Sequence, residues 1–276
     1  MTLIVGAIDA RAGTVHLAGD SKITWAADET RSRKIYSDPV LKVIRLSEGL
    51  AVGYAGAGPS TLAERVGNLR GLERNAVLDG LAQVGGATFI VAGNGAQLWR
   101  VEDGEWAEVT SEGLVIAGDD EDLNGTTVFE LVRARYGDFP DDSARSRLMS
   151  TMQHLIQFRR PSTIGGMLVM LSSVGPRGFR YDATPSVNFN AIYSGEPVER
   201  PVFLHTLPGD EPTPGAVGFW VENAGSGHLF KDGEPHIREE IRSATLGAFV
   251  TEAEETFGQV LVVPREDPIT GLFRQL

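Results

Sequence analysis

The sequence predicts an α+β protein, antiparallel sheets with helices layered on their outer faces. Two observations predict it. Apolar runs of strand length and stretches of helical period come in blocks: strands, two helices, strands, two helices, strands. Pairs of helices between runs of strands argue against an alternating parallel βαβ fold. Glycine is abundant, 33 of 276 residues or 33/276 ≈ 12%, against a usual value of about 7%.

The elements follow in chain order. Thr2 to Ile8 is apolar and branched and predicts a buried strand. Ala10 to Gly13 is a turn, and Thr14 to Gly19 returns as the second arm of a hairpin. Residues 25–40 are polar, carry Pro39 and predict a loop. Lys42 to Leu46 and Leu50 to Tyr54 predict two short strands around Ser47-Glu48-Gly49. Pro59 and Ser60 open a helix to about Leu72, with Leu62, Val66 and Leu69 on one face. A second helix covers Asn75 to Val84. Strands are predicted at Thr88 to Ala92, Ala96 to Val101 and Leu114 to Ala117. Helices follow at Thr126 to Tyr136 and Asp142 to Phe158, then a buried strand at Gly166 to Ser173 that Gly178 to Tyr181 can pair with. The Pro-, Gly- and Glu-rich text from Asp182 to Pro214 suggests a boundary. Beyond it, a helix over Glu234 to Phe257 and a strand at Val260 to Val263 are predicted.

Composition excludes several classes. Hydrophobic residues make up 42% and charged residues 22%, ordinary globular usage. At about 150 residues per domain the length fits two domains or one large layered one. Lys+Arg minus Asp+Glu is 25 − 37 = −12. Such a chain repels phosphate backbones and anionic lipid surfaces, so neither nucleic acid nor a membrane is expected as partner. No cysteine is present, which removes disulfides, thiolate nucleophiles and Cys-type zinc sites. No apolar run reaches the roughly 18 residues of a membrane span. Asp9 and Arg11 interrupt the N-terminal apolar stretch, so it does not read as a signal peptide, and a cytoplasmic protein is expected. The five histidines, His16, His154, His205, His228 and His236, lack metal-ligand spacing, and neither metal nor cofactor is expected. Lysine occurs only at Lys22, Lys34, Lys42 and Lys231, so three of the four fall in one short stretch.

Four residues carry the chemistry. If Met1 is removed, Thr2 has its hydroxyl and a free α-amine on adjacent carbons. An α-amine titrates at about 7.7 to 8.0 and can serve as base for that hydroxyl. Asp20 ends the second strand, and in a hairpin that end returns beside the start of the first. Lys42 sits among Leu41, Val43 and Ile44 and needs a counter-ion there. Paired with Asp20, its ammonium would lower the proton affinity of the Thr2 amine and hydroxyl. The Gly53 backbone N–H can point at a developing oxyanion. Each residue has a plainer use as well: a strand start, a turn cap, a snorkelling edge lysine, a glycine in close backbone packing.

Together they resemble the proteasome β-type family of N-terminal nucleophile (Ntn) hydrolases, and most nearly the bacterial members that begin without a propeptide. The resemblance rests on Thr2-Leu3-Ile4-Val5-Gly6, Ala18-Gly19-Asp20 with Ile23-Thr24, Lys42-Val43-Ile44, and Val52-Gly53-Tyr54-Ala55-Gly56. It continues through Phe89-Ile90-Val91-Ala92-Gly93, Leu98-Trp99-Arg100-Val101, Val115-Ile116-Ala117-Gly118 and Gly165-Gly166. It spans about residues 2–180 and leaves 181–276 as a C-terminal extension. The resemblance implies a four-layer αββα sandwich. It implies Thr2 as nucleophile and base, Lys42 as the group that lowers proton affinity, Asp20 as its partner and Gly53 as oxyanion donor. Ala51 and Ala55 would line the specificity pocket. It also implies peptide or protein substrates, a ring-shaped homo-oligomer and an ATPase partner. The chain departs from the pattern at Gly118-Asp119-Asp120-Glu121, where many active members carry Gly-Ser-Gly, and at Pro161 and Ile164, where they often carry Asp and Ser. The acidic residues can replace the serine by binding a protonated amine, or suppress activity by holding it charged.

Two other readings compete. One is an inactive scaffold or assembly subunit that keeps the fold. The other is a GDSL-type esterase using Ser21 of Gly19-Asp20-Ser21, although Gly93-Asn94-Gly95 lacks the required Asp and Asp232 to His236 has the wrong spacing. The acidic run Asp119 to Asp122 suits a helix N-terminus better than a cation site.

Overall fold

The computed structural model describes residues 2–22, 39–109, 113–159, 161, 163–173, 175, 178–182, 201–206, 215–262, 265–266 and 273–274. The predicted loop over 25–40 lies outside them except for its last two residues, Pro39 and Val40.

The first sheet is built on β1 (Leu3–Asp9) and β2 (Thr14–Asp20), the predicted hairpin. With β8 (Leu114–Gly118), β9 (Leu168–Ser173) and β10 (Phe179–Tyr181) they form one antiparallel sheet in the order β10-β9-β2-β1-β8. The second five-stranded sheet runs in sequence order through β3 (Val43–Ser47), β4 (Leu50–Gly56), β5 (Ala87–Gly93), β6 (Gln97–Glu102) and β7 (Glu105–Glu108).

The two sheets pack on each other, which explains why β1 reads as a continuous apolar run. Side chains alternate across a strand. Ile4 joins a core with Leu17, Val52 and Ile90 between the sheets. Leu3, Val5 and Ala7 face the other way, into a cluster with Val132, Leu148 and Met152. Those last three come from α3 (Val128–Gly137) and α4 (Ala144–His154). The second sheet carries α1 (Pro59–Gly67) and α2 (Arg74–Ala82), whose Leu62, Val66, Val77 and Leu78 join the core.

Several boundaries differ from expectation. The first helix stops at Gly67, short of Leu72, and Gly71 takes φ +77°. α4 ends at His154 and continues as a π-helical turn, Leu155–Arg159. At α3, Thr127 and Glu130 form a reciprocal capping box. β7 was not predicted, because all four of its residues are exposed and show no alternation.

The largest corrections fall after Asp182. Of the stretch expected to hold a boundary, residues 183–200 and 207–214 lie outside the described residues, and within it β11 (Pro201–His205) is a strand. With β12 (Ala216–Val221), β13 (Ser226–Lys231) and β14 (Glu234–Arg242) it forms a four-stranded antiparallel sheet. The predicted helix over Glu234 to Phe257 is therefore β14 followed by α5 (Leu246–Phe257), which begins where the Thr245 hydroxyl accepts the Ala248 N–H at 3.1 Å. Of the predicted final strand, Val263 lies outside the described residues; Leu261 bridges to Thr206 and the Val262 N–H donates to the His205 carbonyl at 2.9 Å. Two further short strands, β15 (Arg265–Glu266) and β16 (Phe273–Arg274), pair with each other.

One face of the third sheet puts Phe203, Phe219 and Phe230 into the main core, and the other covers itself with Phe249 of α5. A buried polar node ties this sheet to β3. Arg45 Nε meets Asp232 at 3.0 Å, and the Tyr181 hydroxyl donates to the same carboxylate at 2.9 Å. Among the described residues no helix is long and apolar enough to cross a membrane.

Candidate active site

The site grows from the open end of the first hairpin. The β1–β2 register sets Ile4 opposite Gly19, so Leu3 lies opposite Asp20. The Leu3 N–H donates to Asp20 Oδ1 at 3.0 Å. Asp20 Oδ2 accepts the N–H groups of Lys22 and Gly165, each at 3.2 Å. Lys42, just before β3, sends its Nζ to both carboxylate oxygens at 3.1 Å and to the Lys22 carbonyl at 2.6 Å. Asp20 and Lys42 thus form a buried ion pair, 0% and 1% exposed. Burial holds the Lys42 ammonium below its ordinary proton affinity, and Asp20 opposes that shift. The Lys22 ammonium is likewise lowered by burial, with Asp20 and Glu121 opposing.

Thr2 is buried at the same end of the sheet. Its carbonyl accepts the Asp119 N–H at 2.9 Å. Gly118 is a glycine for a steric reason: at φ +127° a Cβ would run into the Thr2 carbonyl oxygen. Thr2, Lys22, Lys42, Ala55, Gly56 and Asp119 open on one cleft of about 550 Å³. Glu102 and Asp103 stand on its wall as well. The structure therefore brings Thr2, Asp20 and Lys42 to one place, Asp20 lying behind the lysine.

Gly53 lies elsewhere. It sits mid-strand in β4, paired with Val43 on one side and Ile90 on the other. The Tyr54 N–H donates to the Lys42 carbonyl at 3.1 Å. Backbone N–H groups alternate between the two edges of a strand, so the Gly53 N–H faces β5 inside the ladder. Its lack of a side chain serves packing: a Cβ there would meet Ile4 Cγ2 at 2.5 Å. Ala51 is also away from the cleft, paired with Arg45 and Ala92, whereas Ala55 lines it.

Sequence reasoning missed Gly56, which does line the cleft. It shares its edge of β4 with Tyr54, and the partner strand β3 has not begun at that level. Its N–H consequently points out of the ladder. A Cβ at Gly56 would meet the Gly86 carbonyl at 2.9 Å, so close packing against β5 also requires glycine. The available signal was parity along the strand: Gly53 and Gly56 stand on opposite edges.

Ser21 is fully buried, and its Oγ accepts the Met167 N–H at 2.8 Å. That bond occupies the hydroxyl inside the protein, away from the cleft. In the acidic run, Asp120 accepts the Phe129 N–H of the first turn of α3 at 2.7 Å, as expected of a helix N-terminus. Among the described residues no group of His, Asp and Glu is arranged to hold a metal ion.

No family model matches the chain, and no curated protein matches it. Among solved structures it is similar to the crystal structure of eukaryotic HslV from Trypanosoma brucei, with a TM-score of 0.45 and 16% identity. That likeness covers 62% of this chain and 98% of the other.

Proposed function

We propose that the chain is an N-terminal threonine hydrolase that cuts amide bonds in peptides, on an αββα frame of the proteasome β-type kind. The observation that carries this reading is the meeting of Thr2 with the Lys42–Asp20 pair at one cleft. Once Met1 is removed, the Thr2 hydroxyl attacks the substrate carbonyl carbon and its proton passes to the α-amine. The amine then gives that proton to the leaving nitrogen as the C–N bond breaks. The acyl group remains on Thr2 as an ester. Water, activated by the same amine, hydrolyses the ester and restores the hydroxyl.

Lys42 assists by charge. Its ammonium favours the neutral amine and the developing alkoxide. Asp20 keeps that ammonium in place with both carboxylate oxygens. The Gly56 N–H, free of the ladder by strand parity, is the donor we assign to the oxyanion in place of Gly53. A homo-oligomeric ring and a cytoplasmic setting go with this reading.

The test is intact mass after incubation with a peptide epoxyketone. The expected product lacks Met1 and carries one adduct, which Thr2→Ala loses while keeping the wild-type melting temperature. Removal of Met1 without any adduct overturns the mechanism. Retained Met1 points to the scaffold reading.

A further inference from the structure

We propose that Asp119 holds the α-amine that removal of Met1 uncovers on Thr2, as its hydrogen-bond and charge partner. This rests on the threonine-hydrolase reading. Three observations carry it.

The first is register. Leu3 pairs with Gly118 across the β1–β8 ladder, so Thr2 stands opposite Asp119. The Asp119 N–H donates to the Thr2 carbonyl, while the next N–H along β1, that of Leu3, turns to Asp20 on the β2 side. In an antiparallel strand a residue's N–H and C=O share one edge. The Thr2 nitrogen therefore faces β8 and Asp119.

The second is an unanswered acceptor. Asp119 Oδ2 is buried and has no hydrogen-bond partner among the described residues, although Asp119 lines the cleft beside Thr2. A buried carboxylate oxygen left without a donor is costly. An ammonium offers three donors.

The third is that the neighbouring acids are engaged. Asp120 takes the Phe129 N–H, Glu121 accepts from the Thr163 hydroxyl, and Asp122 takes the Gly125 N–H. Only Asp119 of the run turns into the cleft.

The consequence is a shift in pH dependence. A carboxylate beside the amine favours its protonated form and delays its use as base to higher pH. Asp20 and Glu121, with Glu102 and Asp103 across the cleft, act in the same sense. Lys42 and Lys22 act in the opposite sense. Neutralising Asp119 leaves the lysine charges less opposed, so the acid limb of the rate profile moves down.

The experiment measures the rate of epoxyketone adduct formation on the full chain from about pH 5 to about pH 9, bracketing an α-amine. In Asp119→Asn the acid limb is expected about one pH unit below wild type, and Asp119→Glu returns it towards wild type. A purely structural role would lower the rate at every pH and leave the midpoint in place. If Asp119→Asn does not fold, Asp119→Ser is read in the same way. Superimposable profiles in a wild type and variant that both form the adduct overturn the assignment and leave the Thr2 mechanism standing. No adduct on wild-type protein, or retention of Met1, overturns both.

Discussion

Removing either member of the Asp20–Lys42 pair should destabilise the fold very unequally. Asp20→Ala takes the carboxylate from an ammonium that is 1% exposed. Stranding a buried charge in this way costs about 3–5 kcal/mol. The same change strips the acceptor from the N–H groups of Leu3, Lys22 and Gly165, each worth about 1 kcal/mol. The total, about 6–8 kcal/mol, is comparable with the whole stability of many domains. Lys42→Met keeps the length of the side chain and leaves the Asp20 carboxylate with its three backbone donors. That loss should be about 3 kcal/mol, the low end for stranding a buried charge, because the three backbone donors remain. Urea unfolding at neutral pH, followed by tryptophan fluorescence, gives both values provided the m-values agree. If Lys42→Met costs as much as Asp20→Ala, the carboxylate is not the hub described above and the argument fails.

Other substitutions have defined outcomes. Gly53→Ala should lower stability by about 1–3 kcal/mol through overpacking against Ile4, read by thermal melting; a neutral result would remove the packing explanation. Gly118→Ala should displace Thr2 and abolish adduct formation, because its Cβ has no room beside the Thr2 carbonyl; wild-type labelling would contradict this. Burial holds the His16 imidazole below its ordinary 6.5, with Asp182 and Asp9 pulling the other way and Arg145 adding to the shift. As pH falls below 6.5 the unfolded chain takes up a proton that the native imidazole refuses, so stability falls with acidification. His16→Gln should flatten the melting temperature between about pH 6.5 and pH 5, and parallel curves for variant and wild type would exclude His16 as the cause.

Much of the first 180 residues was legible because burial imposes simple patterns. β1 and β9 are covered on both faces and appear as apolar runs. Asp20 and Lys42 were legible as a pair because a lysine among Leu41, Val43 and Ile44 demands an anion, and a hairpin end brings one near. The donor proposed for the oxyanion was not legible in the same way: a glycine with a free backbone N–H and one serving close packing look identical in sequence, and only ladder register separates Gly56 from Gly53. The sequence does not separate β14 from the helix α5, which follows it within four residues. The strand's inward positions are sparse and its outer face is largely polar, so strand alternation is faint. Asp119 looked like one acid in a run of four; its difference lies in Thr2, opposite it across the β1–β8 ladder.

The Arg45–Asp232 contact joins positions 187 residues apart in the chain. Closing so long a connection is slow, since loop entropy must be met before the contact rewards it. β3, which follows directly from Lys42, is thus braced through Arg45 by a segment made 187 residues later. On this view the third sheet is a late brace, and the start of β3 beside Lys42 settles only once that sheet has been made and docked.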